Sequence, residues 1–120
     1  MFGWFKKRSQ RLEPEARWEV SIDATCITVR DASGEVKMAD RAELSGILIE
    51  TNDSGPWGAD VWWLFFGAND HIACAYPQGA TGEAAVLDAL MALEGFDHTQ
   101  MTAAMGSTRN AIFPVWRRSN

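Results

Sequence analysis

Apolar and polar positions alternate where the chain first becomes regular. Trp18, Val20 and Ile22 are separated by Glu19, Ser21 and Asp23, and Ile27 and Val29 stand between Cys26, Thr28 and Arg30. A period of two puts every second side chain on one face, so both stretches predict half-buried strands. Asp31-Ala-Ser-Gly34 supplies turn chemistry: the short polar side chains bond back to the chain, and glycine accepts a positive φ. A short third strand over Glu35–Ala39 would complete a meander. Leu44–Thr51, rich in Ile and Leu, predicts another strand. Asn52–Gly58 is dense in breakers and reads as a loop. From Asp60 to Phe66 both parities are apolar, which predicts a central strand covered on both faces. After a turn at Gly67–Asp70, His71–Tyr76 returns antiparallel and Pro77 ends it.

The period then changes. Ala85, Leu87, Leu90, Met91 and Leu93 follow a helical spacing from Thr81 onward, with Gly95 as a stop. A second, shorter helix is expected to start at Asp97, whose carboxylate can accept from the first free N–H groups. Met101, Ala104 and Met105 would form its inner face, and Gly106 would end it. Ala111–Trp116 reads as a last strand, and Pro114 argues for an edge position. Strands first and helices afterwards indicate an α+β fold. The expectation is an antiparallel sheet of about six to seven strands, packed by one longer and one short C-terminal helix. Residues 17–120 should form one domain, preceded by a basic, aromatic, flexible tail over 1–16.

Size and composition agree with a single core: 120 residues, 47% apolar and 22% charged. Charge changes the picture more. Residues 1–12 hold four basic and no acidic groups, whereas residues 13–116 hold five basic and sixteen acidic ones. An acidic body repels phosphate backbones, so nucleic acid is not an expected partner. No secretory pattern leads the chain, and the longest apolar run, Val61–Phe66, is too short to span a bilayer. Cytoplasmic residence is therefore expected.

Catalytic chemistry finds little footing. A thiol nucleophile would be Cys74, with His71 or His98 as base and Asp70 or Asp97 as orienter. Positions 71 and 74 have opposite parity, so on a regular strand their side chains leave opposite faces. Cys74 would share its face with Ile72 and Tyr76 as an ordinary small buried hydrophobe. The two histidines and two cysteines form no cluster with ligand spacing, so neither a metal nor another cofactor is expected. Gly79-Ala-Thr-Gly82 precedes a helix but lacks the lysine of a phosphate loop, and reads as a strand-to-helix connection.

The aromatic residues give the binding hypotheses. Trp62, Trp63, Phe65 and Phe66 load one strand, where core packing is the ordinary reading. Trp57 sits between Pro56 and Gly58 with no periodic reason for burial. Exposed loop aromatics mark recognition surfaces, so the segment 52–60, with Trp57, Asp60 and Trp62, is the candidate contact with a protein or small ligand. A second candidate is the tail. Phe2, Trp4 and Phe5 beside Lys6, Lys7 and Arg8 combine interface aromatics with cations suited to weak contact with anionic lipid. The expectation is a non-enzymatic binding module; the alternatives are a peripheral membrane adaptor and, last, a thiol enzyme.

Several blocks carry a resemblance. Gly55-Pro-Trp-Gly-Ala-Asp-Val-Trp-Trp-Leu-Phe-Phe-Gly67 is followed by Tyr76-Pro-Gln-Gly-Ala-Thr-Gly-Glu83. Then come Leu93-Glu-Gly-Phe-Asp97 and Ala104-Met-Gly-Ser-Thr-Arg-Asn-Ala-Ile-Phe113, with Trp116. Together they resemble a family of small uncharacterised bacterial proteins, conserved hypothetical sequences, over roughly residues 17–118. The family brings no assigned chemistry, so no residue role carries over. A strand meander followed by a helix also resembles the pleckstrin-homology-like partial barrel. That likeness implies a sheet scaffold whose loops bind lipids or peptides.

Overall fold

The computed structural model describes residues 17–55 and 58–118, with the backbone alone for 53–55 and 58–60. The fold is α+β. Among the described residues seven strands divide between two antiparallel sheets and do not close into a barrel.

The first sheet is the expected meander: β1 (Glu19–Ile22), β2 (Cys26–Arg30) and β3 (Val36–Asp40). Two aspartates make its turns. Asp23 Oδ1 accepts from the N–H groups of Thr25 and Cys26, at 2.7 and 2.9 Å. Asp31 Oδ1 accepts from Ser33 N–H and Glu35 N–H, at 2.9 and 3.0 Å, and Gly34 takes a φ of 95°. These local bonds offer the chain a tight reversal in place of a continuing strand.

The second sheet has the order β6-β5-β4-β7, from β4 (Gly46–Gly55), β5 (Gly58–Phe66), β6 (Ile72–Pro77) and β7 (Ala111–Arg117). Residues 52–55 and 58, expected in a loop, are strand: β4 and β5 pair Asn52 with Asp60 and Gly55 with Gly58 across an irregularity in register. Backbone pairing in a long hairpin is set by the strands on either side, and it overrides the weak strand preference of Asn, Asp and Gly. β5 is an interior strand, as expected. Its inward residues Trp63 and Phe65 are buried, but Trp62, Leu64 and Phe66 on the other face are only half-buried, so one face alone is covered.

The core lies between the inner faces of the two sheets and two helices, α1 (Glu83–Met91) and α2 (His98–Met105). Ile47 pairs with Phe65 and Ile49 with Trp63, so these four side chains meet on one face. Phe65 is also opposite Cys74 and Trp63 opposite Tyr76. They pack against Val20, Ile27, Val29 and Ala39 of the first sheet and Val86 and Leu90 of α1. Full burial of each large aliphatic or Phe side chain contributes about 1.5–3 kcal/mol. α1 leans on β1, whereas α2 covers β7 and part of β4. Of the residues expected on the inner face of α2, Ala104 is buried and Met101 half-buried. Met105 instead points outward, because the helix ends there at Gly106.

Close approach requires glycine at one point. Thr81 N–H donates to Trp18 O at 2.8 Å and Val20 N–H to Thr81 O at 2.9 Å, binding the entry to α1 to β1. Gly82 follows with φ 89°, and any Cβ there would run into the Val20 carbonyl oxygen. At the opposite end Arg118 ties the link between the sheets to the last strand. Its Nε donates to Leu44 O at 2.7 Å and its Nη2 to Arg41 O at 2.9 Å, with the guanidinium over the Trp116 ring. β7 is an edge strand beside β4, and a bulge between Ile47 and Leu48 in the β4 register turns Val115 inward beside Pro114. No helix among the described residues is long and apolar enough to cross a membrane.

Candidate functional site: the seam between the two sheets

β3 and β6 are terminal strands of their sheets, and no described strand pairs with the outer side of either. They lie close to one another. Hydrogen bonds flanking each ladder fix which groups face the gap. Arg41 N–H donates to Thr25 O at 2.8 Å and Asp31 N–H to Glu35 O at 2.9 Å. Bonding alternates along an antiparallel pair, so Lys37 and Ala39 bond to β2 while the main chain of Val36, Met38 and Asp40 faces away. Gln78 N–H donates to Val61 O at 2.7 Å. Cys74 and Tyr76 therefore bond to β5, and Ala75 faces away.

Side chains line the gap as two adjoining depressions that share Ile72 and Ala73. The larger, 440 Å³, is walled by Cys26, Met38, Asp40, Glu43 and His71. The smaller, 170 Å³, is walled by Trp18, Trp62, Asp31, Glu35 and Lys37. Met38 and Ile72 are 56% and 57% exposed, and Val36 is 49% exposed. Large apolar groups on a free strand edge invite pairing with another chain. The acids are unpaired: the one ion pair among the described residues joins Arg30 to Glu19, away from the seam.

Trp62 stands here, half-buried, with its ring edge-on to Trp18 at a centroid distance of 5.3 Å. Trp62 thus lines the smaller depression of the seam. Asp60 lies in β5 opposite Asn52, and its side chain is outside the described residues. Trp57 and the tail residues Phe2, Trp4, Phe5, Lys6, Lys7 and Arg8 also lie outside them.

The thiol hypothesis meets a different geometry from the one expected. A bulge in β6 pairs Phe66 with Ile72 and Phe65 with Cys74. The extra residue reverses the alternation, so Ile72 faces out and does not share a face with Cys74. Cys74 is 2% exposed. Burial pushes its thiol up to about 12, with the Lys37 charge opposing the shift, so it is protonated at neutral pH. His71 and His98 are both exposed, and His98 packs edge-on to Phe96. Cys26 and His71 line the same depression without a hydrogen bond between them. The Cys26 thiol instead faces Asp23 Oδ2 and Thr28 Oγ1, at 4.0 and 3.9 Å. Neither thiol is in hydrogen-bond contact with a histidine. Among the described residues no group of three or more His, Cys, Asp or Glu is arranged to hold a metal ion.

One buried polar set remains. Trp63 and Tyr76 stack nearly parallel at 6.4 Å. Trp63 Nε1, Tyr76 OH and Glu83 Oε2 are buried without a hydrogen-bond partner. Glu83 Oε1 accepts from Gly79 N–H at 3.1 Å, which holds the turn before α1. Burial raises the pKa of Glu83, and burial followed by the charge of Glu83 raises that of Tyr76.

Sequence reasoning missed Val36, Met38 and Ile72. A signal was present in β3: the larger apolar residues Val36 and Met38 share one parity, and Lys37 and Ala39 take the core-facing one. A strand whose bulky apolar side chains point outward has an unmet need for cover. Compared with protein families, with curated proteins and with solved structures, the chain matches nothing.

Proposed function

We propose that this protein is a non-enzymatic binding module that takes up an extended segment of a partner protein along the seam between β3 and β6. The observation that carries this reading is the pair of free strand edges facing one gap, with Met38 and Ile72 exposed beside it. β3 and β6 have Cα atoms within 8 Å of each other, less than the roughly 10 Å that a strand paired on both sides needs. An extended guest would therefore satisfy the outward main-chain groups of one edge, at Met38 or at Ala75, and its alternate side chains would cover the apolar ones. Main-chain bonding of this kind tolerates many sequences, while the depressions around Ile72 discriminate among side chains. Trp18 and Trp62 form an aromatic wall at one end and supply rigid contact area.

The test is selection of extended peptides on the intact chain, repeated with a Met38→Lys/Ile72→Lys variant. Both positions are more than half exposed, so the variant should keep its fold within about 0.5 kcal/mol. Selected peptides should slow hydrogen exchange at Met38 or at Ala75 and lose affinity on the variant. Peptides that bind both forms alike, or a selection that yields none, would reject the seam as the binding surface.

A further inference from the structure

We infer that the segment accepted at the seam is cationic at both ends and apolar at alternate positions between them, an inference that rests on the strand-addition reading above. Carboxylates stand at both ends of the groove. Asp31 and Glu35 line the depression at the start of β3, and Asp40 and Glu43 line the one at its end. Lys37 is the one lysine or arginine that lines the two depressions, and His71 lines the larger. None of the four acids is ion-paired, and Asp31 is held as a carboxylate by the hydrogen bonds of its turn, first of all from Ser33. A phosphate-bearing or acidic guest would meet like charge at each end. Lysine or arginine would meet opposite charge there.

Strand geometry sets the spacing. At about 3.3 Å per residue, the distance from Glu35 to Asp40 corresponds to roughly four to six residues of an extended guest. Between those ends the guest faces Met38 and Ile72, both on the outward side of their sheets. Side chains alternate across a strand, so every second residue of the guest should be apolar. The contact is solvent-exposed, and its charge preference must weaken as salt rises.

The experiment uses the full chain and two synthetic peptides of about ten residues, whose middle alternates Val with Thr. One carries lysines at both ends and the other glutamates. Affinity is measured at about 50 mM and about 300 mM salt, with amide chemical shifts mapped on the chain. The lysine peptide is expected to bind about tenfold more tightly at low salt, with the preference shrinking at high salt. Shifts are expected at Met38, Asp40 and Ala75, and an Asp40→Asn/Glu43→Gln variant should lose about threefold in affinity for the lysine peptide alone. Equal binding of both peptides at the seam would overturn the charge preference and leave strand addition standing. Shifts confined to other strands would overturn both readings. The free Lys6→Glu/Lys7→Glu/Arg8→Glu chain is compared with the free parent in the same way; shifts at the same seam amides would assign the groove to the chain's own amino-terminal segment and overturn the partner.

Discussion

At the scale of single residues, burial decides the chemistry. Cys74 lies under Phe65 and Tyr76 with its thiol pushed up to about 12, so the reactive thiolate is scarce at neutral pH. Cys26 is half-buried and reaches the surface groove. Iodoacetamide at pH 7.5 should therefore label one thiol in the native protein, Cys26, and a second only on unfolding; peptide mapping by mass spectrometry reads the order. Glu83 carries a raised folded pKa because its carboxylate is desolvated. The folded state then holds its proton to higher pH than the unfolded chain, so this group lowers stability as pH rises from 4.5 through the raised value. Glu83→Gln keeps an oxygen for Gly79 N–H and removes the charge. Its melting temperature should match the parent in acid and exceed it at neutral pH, and a parallel pair of pH profiles would count against a buried carboxylate. Gly82→Ala meets both a positive φ and the Val20 carbonyl, and should cost about 2 kcal/mol or more in chemical denaturation.

At the scale of elements, short polar side chains set where the chain turns and where helices begin. Asp97 accepts from Gln100 N–H at 2.9 Å, so Asp97→Ala should cost about 1 kcal/mol, read as a lower denaturation midpoint at unchanged m-value. That cap, the Asp31 turn and the edge position of Pro114 were all legible in the sequence, since each depends on residues a few positions apart. Other features needed partners from far along the chain. The strand pairing of Asn52 with Asp60 and Gly55 with Gly58 comes from partners across a hairpin, and the outward turn of Ile72 comes from a bulge against Phe66. Local pattern makes Thr51 only the end of a strand, yet it is buried and donates to Arg109 O at 2.7 Å, anchoring the loop before β7. Its partner lies 58 residues away, and no local pattern indicates it.

At the scale of the whole molecule, the notable feature is two sheets meeting along unpaired edges. Hydrogen exchange tests this directly. The amides of Met38 and Ala75 face the gap and should exchange quickly, while those of Lys37, Cys74 and Tyr76 in the ladders should be protected. Uniform protection across β3 and β6 would mean that the edges are closed. By itself, the sequence determined the α+β class, the strand order through the meander, both helices and the interior place of β5. These follow from periodicity and turn chemistry, which act over a few residues. Only the tertiary structure decided that the strands split into two sheets, that Trp62 meets Trp18, and that acids from residues 31 to 43 line one groove with Ile72. Such a site depends on which edges are left unpaired once the core has formed. That outcome belongs to long-range packing, and no stretch of the chain encodes it alone.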